Sequence, residues 1–348
     1  MKSERIYGAD AVRCAASVFV IAVHFFVNTG YYDLPLRGEV MALCTWLRMM
    51  LMVCVPLFMM LTGYLSSGRT VREGWLHGLW RTLSVWIVSA AICLLFRRCY
   101  FGERFRFGEM LTVILNFSAV PYGWYVEMYV GLYLLSPLMS AAWSAMDERG
   151  KRAAVLSLLF LTALPTVTNL NRQILPQWWT GIYPLTYFVL GAWLREHPLR
   201  KLRKWHLLLL WAVIAGIAAA MRWLFAMGGS FTWTAYTDWG SIFVAAESVC
   251  AFSLLNSCSG ARTPRLLRNF TTAAARLSLA IYLSSYIADS LLYPILCRRV
   301  ETMAGRLAFQ PLMTAAVFLC AGLIGWFTNH AAEGLMQLMP QKRQRPES

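Results

Sequence analysis

Three ionisable side chains lie close together in the first apolar stretch of the sequence: Asp10, Arg13 and His24. Helical positions repeat every 3.6 residues, so the path from Arg13 to His24 completes about three turns and places both side chains on one face, roughly 16 Å apart along the axis. Asp10 precedes Arg13 by three residues and shares that face. Histidine exchanges a proton near neutral pH, and the guanidinium group of arginine is permanently charged and offers several N–H donors. We therefore interpret the stretch as a candidate catalytic element.

Each of these residues also has a structural explanation. His24 is flanked by Val23, Phe25 and Phe26, and a hydrogen bond to a neighbouring helix would satisfy it in a buried position. Arg13 would reach lipid phosphates at the membrane surface. The structural reading requires these separate explanations to hold together on one helical face. Ionisable residues inside membrane helices are functional candidates by default, so the functional reading is favoured.

The composition indicates an integral membrane protein. The chain has 348 residues, of which 58% are hydrophobic and 14% charged, with a mean hydropathy of +0.51, whereas soluble domains carry roughly 25% charged residues. We expect an all-α polytopic bundle that forms one domain over residues 1–340, followed by a short, basic, disordered cytoplasmic tail at 341–348. The net charge of +15 is distributed between apolar runs, so it predicts membrane topology and no nucleic-acid partner.

Ten apolar runs are long enough to cross a membrane. They are 7–29, 39–65, 75–96, 123–146, 152–168, 180–194, 204–227, 236–256, 276–297 and 308–335. A further piece, Met110–Phe117, is too short to cross and is expected to lie at the interface.

The basic residues predict which side holds the termini. With ten spans both termini share a side, and the segments on that side hold 18 of the 32 Lys and Arg residues, against nine in the opposite loops. An excess of Lys and Arg marks cytoplasmic loops, so both termini are predicted in the cytoplasm and the protein in the cytoplasmic membrane. Arg13 then lies near the cytoplasmic mouth of the first span, and His24 lies past the midplane.

A set of ordered motifs resembles the acyltransferase 3 family, whose members are integral membrane proteins that O-acylate cell-envelope glycans and related molecules. The first is Asp10-x-x-Arg13-x10-His24. The others are Val55-Pro-Leu-Phe-Met-Met-Leu-Thr-Gly-Tyr-Leu65, Trp124-Tyr-Val-Glu-Met-Tyr-Val-Gly-Leu-Tyr-Leu-Leu-Ser-Pro-Leu138, Tyr187-Phe-Val-Leu-Gly191 and Leu277-Ser-Leu-Ala-Ile-Tyr-Leu283. Two positions depart from the family pattern, because Tyr122 and Ser284-Ser285-Tyr286 stand where many members have a histidine.

The resemblance implies a reaction and a set of residue roles. An acyl group, most often acetyl, would pass from cytoplasmic acyl-CoA, a co-substrate, to a hydroxyl of an envelope glycan or lipid-linked sugar. His24 would act as general base or as covalent acyl carrier, and Arg13 would contact the donor.

Further donor and acceptor contacts follow from position. Asp10 would orient Arg13, and Arg69 and Arg72 would meet the donor phosphates or else be ordinary cytoplasmic charges. Trp124, Tyr125 and Glu127 would contact the acceptor, although an interfacial aromatic belt also explains the two rings. No metal site or bound cofactor is predicted, and the sequence leaves the oligomeric state undetermined. A transporter or flippase and a non-catalytic membrane subunit remain the alternatives.

Overall fold

The computed structural model describes residues 6–67 and 75–337. Across those ranges the chain is helical and forms no β-strand, which confirms the prediction of an all-α polytopic membrane protein. The α-helices are α1 (Tyr7–Asn28), α2 (Gly38–Leu51), α3 (Cys54–Ser66), α4 (Trp75–Tyr100), α5 (Phe107–Leu115), α6 (Trp124–Ala145), α7 (Glu148–Leu158), α8 (Pro165–Thr168), α9 (Tyr183–Glu196), α10 (Lys204–Ala226), α11 (Ile242–Asn256), α12 (Arg265–Arg299), α13 (Met303–Ala308) and α14 (Gln310–Gln337).

Eight helical segments in the described ranges are long and apolar enough to cross a membrane. The two other predicted spans correspond to α6 and α9. The 22 residues of α6 suffice to cross, but tryptophan, tyrosine and glutamate lower its mean hydropathy. The 14 residues of α9 extend only about 21 Å, less than the roughly 30 Å of the hydrocarbon core.

The predicted span 39–65 corresponds to one candidate membrane segment, Gly38–Ser66. Its helix is interrupted by a turn at Met52 and Val53, between α2 and α3, although both residues keep right-handed helical dihedral angles. Pro56 has no N–H group to donate to the Met52 carbonyl four residues earlier, so the helix ends there and restarts with Pro56 in the first turn of α3. The span predicted at 276–297 is also longer than expected, because α12 begins at Arg265.

Pro137 lies inside α6 without ending it. Its ring leaves the carbonyl of Tyr133 without a backbone donor, and the Ser136 hydroxyl donates to that carbonyl at 2.7 Å. Serine side chains can satisfy a carbonyl that proline frees within a membrane helix. The same helix therefore continues and carries a row of tyrosines along one face.

Two motif glycines face each other across α3 and α9. A Cβ atom at Gly63 would collide with the backbone carbonyl of Phe188, and one at Gly191 would collide with the carbonyl of Met60. Small residues let membrane helices approach backbone to backbone. The Thr-Gly-Tyr-Leu and Tyr-Phe-x-x-Gly motifs are therefore the two halves of one helix contact.

Helix α1 lies at the centre of the bundle, in contact with α2, α3, α11, α12 and α14. Tyr7 at its start contacts Thr271, and Asn28 at its end contacts Cys297, so α12 runs parallel to α1 along its whole length. We call the end of the bundle with Arg13 the arginine end and the end with His24 the histidine end. Residues of α12 that face α1 can therefore meet both groups.

Candidate functional site

His24 forms a compact group with two residues from other parts of the chain. Its Nδ1 atom lies 3.7 Å from Oδ2 of Asp289 on α12, and its ring stacks on Tyr122 with 3.9 Å between centroids. Tyr122 donates its hydroxyl to the same Asp289 oxygen at 2.9 Å. Burial raises the pKa of Tyr122 well above its usual value, and the neighbouring Asp289 adds to that rise, so the phenol keeps its proton. The three side chains form a histidine–carboxylate–phenol arrangement.

Two polar side chains of this group, His24 and Asp289, do not have all of their hydrogen bonds made within the described residues. The Asp289 side chain is 1% exposed and that of His24 14%. Neither His24 Nδ1 nor Asp289 Oδ1 has a hydrogen-bond partner among the described residues. A gap of 3.7 Å exceeds a hydrogen bond, but such contacts often tighten when a substrate binds. Nδ1 is the nitrogen that faces Asp289, and it is fully enclosed.

A cationic cavity of about 550 Å³ opens at the arginine end. Three arginines from three helices line it: Arg13 of α1, Arg81 of α4 and Arg276 of α12. Arg81 and Arg276 are exposed, so the cavity reaches the protein surface. Asp10 also lines it, is buried, and accepts a hydrogen bond from Thr272 at 3.3 Å. This first cavity can hold an anionic group.

A second cavity of about 240 Å³ continues from the first along α1. Arg13, Thr82 and Leu279 line both cavities, so the two share a wall. Most of the second lining is apolar or phenolic, with Phe58, Tyr125, Tyr129, Tyr133 and Tyr282 supplying the rings.

Tyr282 separates the second cavity from the His24 group. Its hydroxyl donates to the backbone carbonyl of Tyr122 at 2.6 Å, and its ring lies 6.5 Å from that of His24. The cavities therefore extend from the exposed arginines as far as Tyr282, and Tyr282 lies between the second cavity and His24, which lines neither cavity.

The three predicted acceptor residues lie in three different surroundings in the structure. Trp124 packs on Trp239 with 4.5 Å between ring centroids, and Trp239 in turn contacts Trp233, so a row of tryptophans lies at the histidine end. Tyr125 is buried and lines the second cavity. Glu127 is exposed on α6 and lines neither cavity.

The predicted donor residues Asp10 and Arg13 lie together in the first cavity. Arg69 and Arg72 lie outside the described residues.

The sequence reasoning missed Asp289. It is a carboxylate within a long apolar helix, and that alone marks a functional candidate. It also follows Tyr282 by seven positions, which is two helical turns and therefore one face. Arg81 and Arg276 are also charges within predicted spans, but their meeting in one cavity depends on how α4 and α1 pack against α12.

The comparisons with known proteins give one match. The family model described as an acyltransferase domain, acyltransferase 3, matches residues 6–328, which is nearly the whole chain. No curated protein and no solved structure matches the chain.

Proposed function

Because this chain belongs to the acyltransferase 3 family of membrane acyltransferases, we propose that it carries an acyl group, in the first instance acetyl, from acyl-CoA to a hydroxyl of a cell-envelope carbohydrate or related acceptor. One observation carries the proposal: the exposed arginines, the second cavity and the His24 group follow one another along α1, with Tyr282 between the second cavity and His24. With the arginine end in the cytoplasm, as the basic residues predict, the donor enters there and the acceptor meets His24 at the opposite end.

The first cavity supports a phosphate-bearing donor. Coenzyme A carries several phosphate groups, and arginine binds phosphate through paired, charge-assisted hydrogen bonds. Arg13, Arg81 and Arg276 supply these donors around one space. The pantetheine arm would lie in the second cavity, where tyrosine hydroxyls can meet its amides. Arg69 and Arg72 belong to this proposal on their sequence position alone.

The His24 group supports proton transfer at Nε2. A carboxylate beside Nδ1 holds the ring in the tautomer that leaves Nε2 free to accept a proton, and it stabilises the imidazolium that follows. Nε2 removes the proton of the acceptor hydroxyl while the hydroxyl oxygen forms a bond to the acyl carbon. The carbon–sulfur bond then breaks, and the CoA thiolate takes up the proton.

A covalent route uses the same nitrogen. Nε2 attacks the thioester carbon, and the carbon–sulfur bond breaks to give an acyl-histidine and the CoA thiolate. The acceptor hydroxyl then attacks that acyl carbon, the bond from the carbon to Nε2 breaks, and the hydroxyl proton passes to the thiolate. In either route Asp289 is a positioning residue, because it acts through His24, and Tyr122 holds the carboxylate. The two routes differ in whether labelled protein accumulates when no acceptor is present.

The tryptophan row supports a carbohydrate acceptor. Aromatic rings offer large apolar surfaces against which sugar rings can pack, and Trp124, Trp233 and Trp239 lie together at the histidine end, where Trp233 is exposed. Glu127, exposed about one turn along α6, would accept hydrogen bonds from sugar hydroxyls. Tyr125, buried beside the second cavity, is better placed for the acyl arm.

Transfer by the purified full chain tests the proposal. Proteoliposomes would receive radiolabelled acetyl-CoA together with envelope glycan from a strain lacking this protein. We expect label on the glycan in an ester that mild alkali releases, and no transfer by His24→Ala. His77→Ala is the matched control, because His77 is exposed and lines neither cavity. If neither protein nor glycan becomes labelled while glycan crosses the membrane, the transporter alternative replaces this proposal.

A further inference from the structure

A third cavity, of about 510 Å³, lies between the ends of α9, α10 and α11. Four basic residues line it: Arg195, Arg200, Arg203 and Lys204. All four are exposed and form its rim, and among the described residues no Asp or Glu lines it. Glu196, the acidic residue next to Arg195, is already engaged, since it accepts hydrogen bonds from Trp143 and Lys151. Within the described ranges the rim of the cavity is therefore positively charged.

The floor of the third cavity is apolar. Leu194, Leu207 and Phe252 are buried there. One polar atom of the lining, Ser253 Oγ, is buried without a hydrogen-bond partner in the described part of the chain. Buried polar groups ordinarily have partners, so this hydroxyl is a place for a ligand or water. Asn256 Oδ1 also lacks a partner there, but it lies against Gly8 of α1, 2.9 Å from where a Cβ would be.

The third cavity lies beside the first but is separate from it. Tyr64 lines the third cavity and Leu65 the first, so the end of α3 divides them. Arg195 donates to the Tyr64 carbonyl at 2.7 Å, which fixes this wall. On the other side Asn256 packs so closely on Gly8 of α1 that a Cβ there would lie 2.3 Å from the Asn256 carbonyl oxygen. Asn256, a lining residue of the third cavity, is therefore in direct contact with the beginning of the helix that carries Arg13.

We propose that the third cavity binds a phosphate ester attached to an apolar group, as in the headgroup of an anionic phospholipid. The phosphate lies among Arg195, Arg200, Arg203 and Lys204, and the apolar part covers the floor. Basic pockets between helices at the cytoplasmic surface are suited to anionic headgroups, and long basic side chains reach such headgroups from helix ends. The Ser253 hydroxyl donates to a phosphate or glycerol oxygen. The proposal does not depend on the acyl-transfer reaction.

Native mass spectrometry of the full chain tests the lipid source. The protein would be held in micelles with equal amounts of phosphatidylglycerol and phosphatidylcholine. We expect Arg200→Gln/Arg203→Gln to retain phosphatidylglycerol about 30-fold less well, which corresponds to about 1 kcal/mol for each arginine. The matched control is Arg262→Gln/Arg265→Gln, which removes the same charge from exposed positions outside the third cavity. Arg200→Lys/Arg203→Lys keeps the charge and should retain the lipid.

A second measurement tests a soluble source of the same chemistry. The rise in the temperature of thermal unfolding on adding inorganic phosphate would be compared for the wild type, the glutamine pair and its control. Stabilisation of the wild type and control alone, with no preference for phosphatidylglycerol, supports a soluble phosphate compound as the ligand. If the glutamine pair matches its control with both probes, the proposal is overturned. Should the pair fail to fold, Arg203→Gln alone against Arg262→Gln decides the same question.

Discussion

The two ends of α1 carry ionisable groups in opposite settings. At the arginine end Arg13 faces a cavity that it shares with two exposed arginines. At the histidine end His24 is enclosed by Tyr122 and Asp289, whose side chain is almost fully buried. An open cationic space can bind an anionic ligand but is weakened by solvent and salt, whereas an enclosed group holds a fixed geometry in a low dielectric.

This difference separates binding from chemistry along one helix. Changes at the arginine end should act mainly on KM for the donor, and changes at the histidine end should act mainly on kcat. The second cavity lies between the two ends, because Arg13 and Tyr282 both line it and the ring of Tyr282 lies 6.5 Å from that of His24. The predictions below test this separation.

Replacing His24 should have the largest effect. We expect His24→Ala to lower kcat at least about 10³-fold, within the range lost when a general base is removed. Donor binding should persist, measured by equilibrium binding of radiolabelled acetyl-CoA to the purified protein. Full activity in His24→Ala would show that the histidine has no role in the reaction. Loss of donor binding would show that the histidine end also takes part in binding, so that the two ends are not functionally separate.

Replacing Asp289 should have the next largest effect. Asp289→Asn keeps the shape of the side chain but removes the charge beside His24 Nδ1, so we expect kcat to fall about 100-fold with little change in KM. The pH dependence of kcat should change as well, which a purely structural role would not produce. Asp289→Glu should recover part of the activity, and Asp33→Asn, at an exposed position of the same end, is the control. An unaltered pH profile in Asp289→Asn would contradict the positioning role.

The contrast between the ends was only partly predictable from the sequence. Helical periodicity placed Asp10, Arg13 and His24 on one face, and this needs only local geometry. Asp289 carried a local signal too, as a carboxylate in an apolar helix. Its contact with His24, however, depends on α12 running parallel to α1, which sets residues 265 positions apart side by side. No local pattern determines that pairing.

Tyr122 is a second residue whose tertiary contacts could not be predicted from the sequence. Read against the family pattern, it marks the absence of a histidine. In the structure it stacks on His24 and donates to Asp289, so the substitution supplies a partner. The break at Met52 and Val53, by contrast, was within reach of the sequence, because Pro56 cannot donate to a carbonyl four residues earlier.

Replacing Arg13 should have an intermediate effect on donor use. Arg13 lines both cavities, and losing hydrogen bonds from a charged group costs about 1.5–3 kcal/mol, or roughly 10- to 100-fold. We expect this loss in kcat/KM for acetyl-CoA through a higher KM, with kcat at saturating donor largely kept. Steady-state kinetics would measure both constants, with Arg262→Ala as the control. A fall in kcat alone would indicate that Arg13 acts in the chemical step and not in donor binding.

Replacing Arg81 or Arg276 should have the smallest effect and the clearest dependence on salt. Both side chains are exposed at the mouth of the first cavity, where a charge contributes about 0.2–1 kcal/mol. We expect Arg81→Gln and Arg276→Gln each to raise KM for acetyl-CoA about two- to fivefold at low ionic strength, and less as salt screens the remaining charges.

Arg98→Gln is the control, because Arg98 lies on α4 with Arg81 but at its other end. Its KM should match the wild type at every salt concentration. A salt-independent rise in KM for the Arg81 and Arg276 variants would show that these side chains act by packing. The arginine end would then lack the electrostatic character that distinguishes it from the enclosed histidine end.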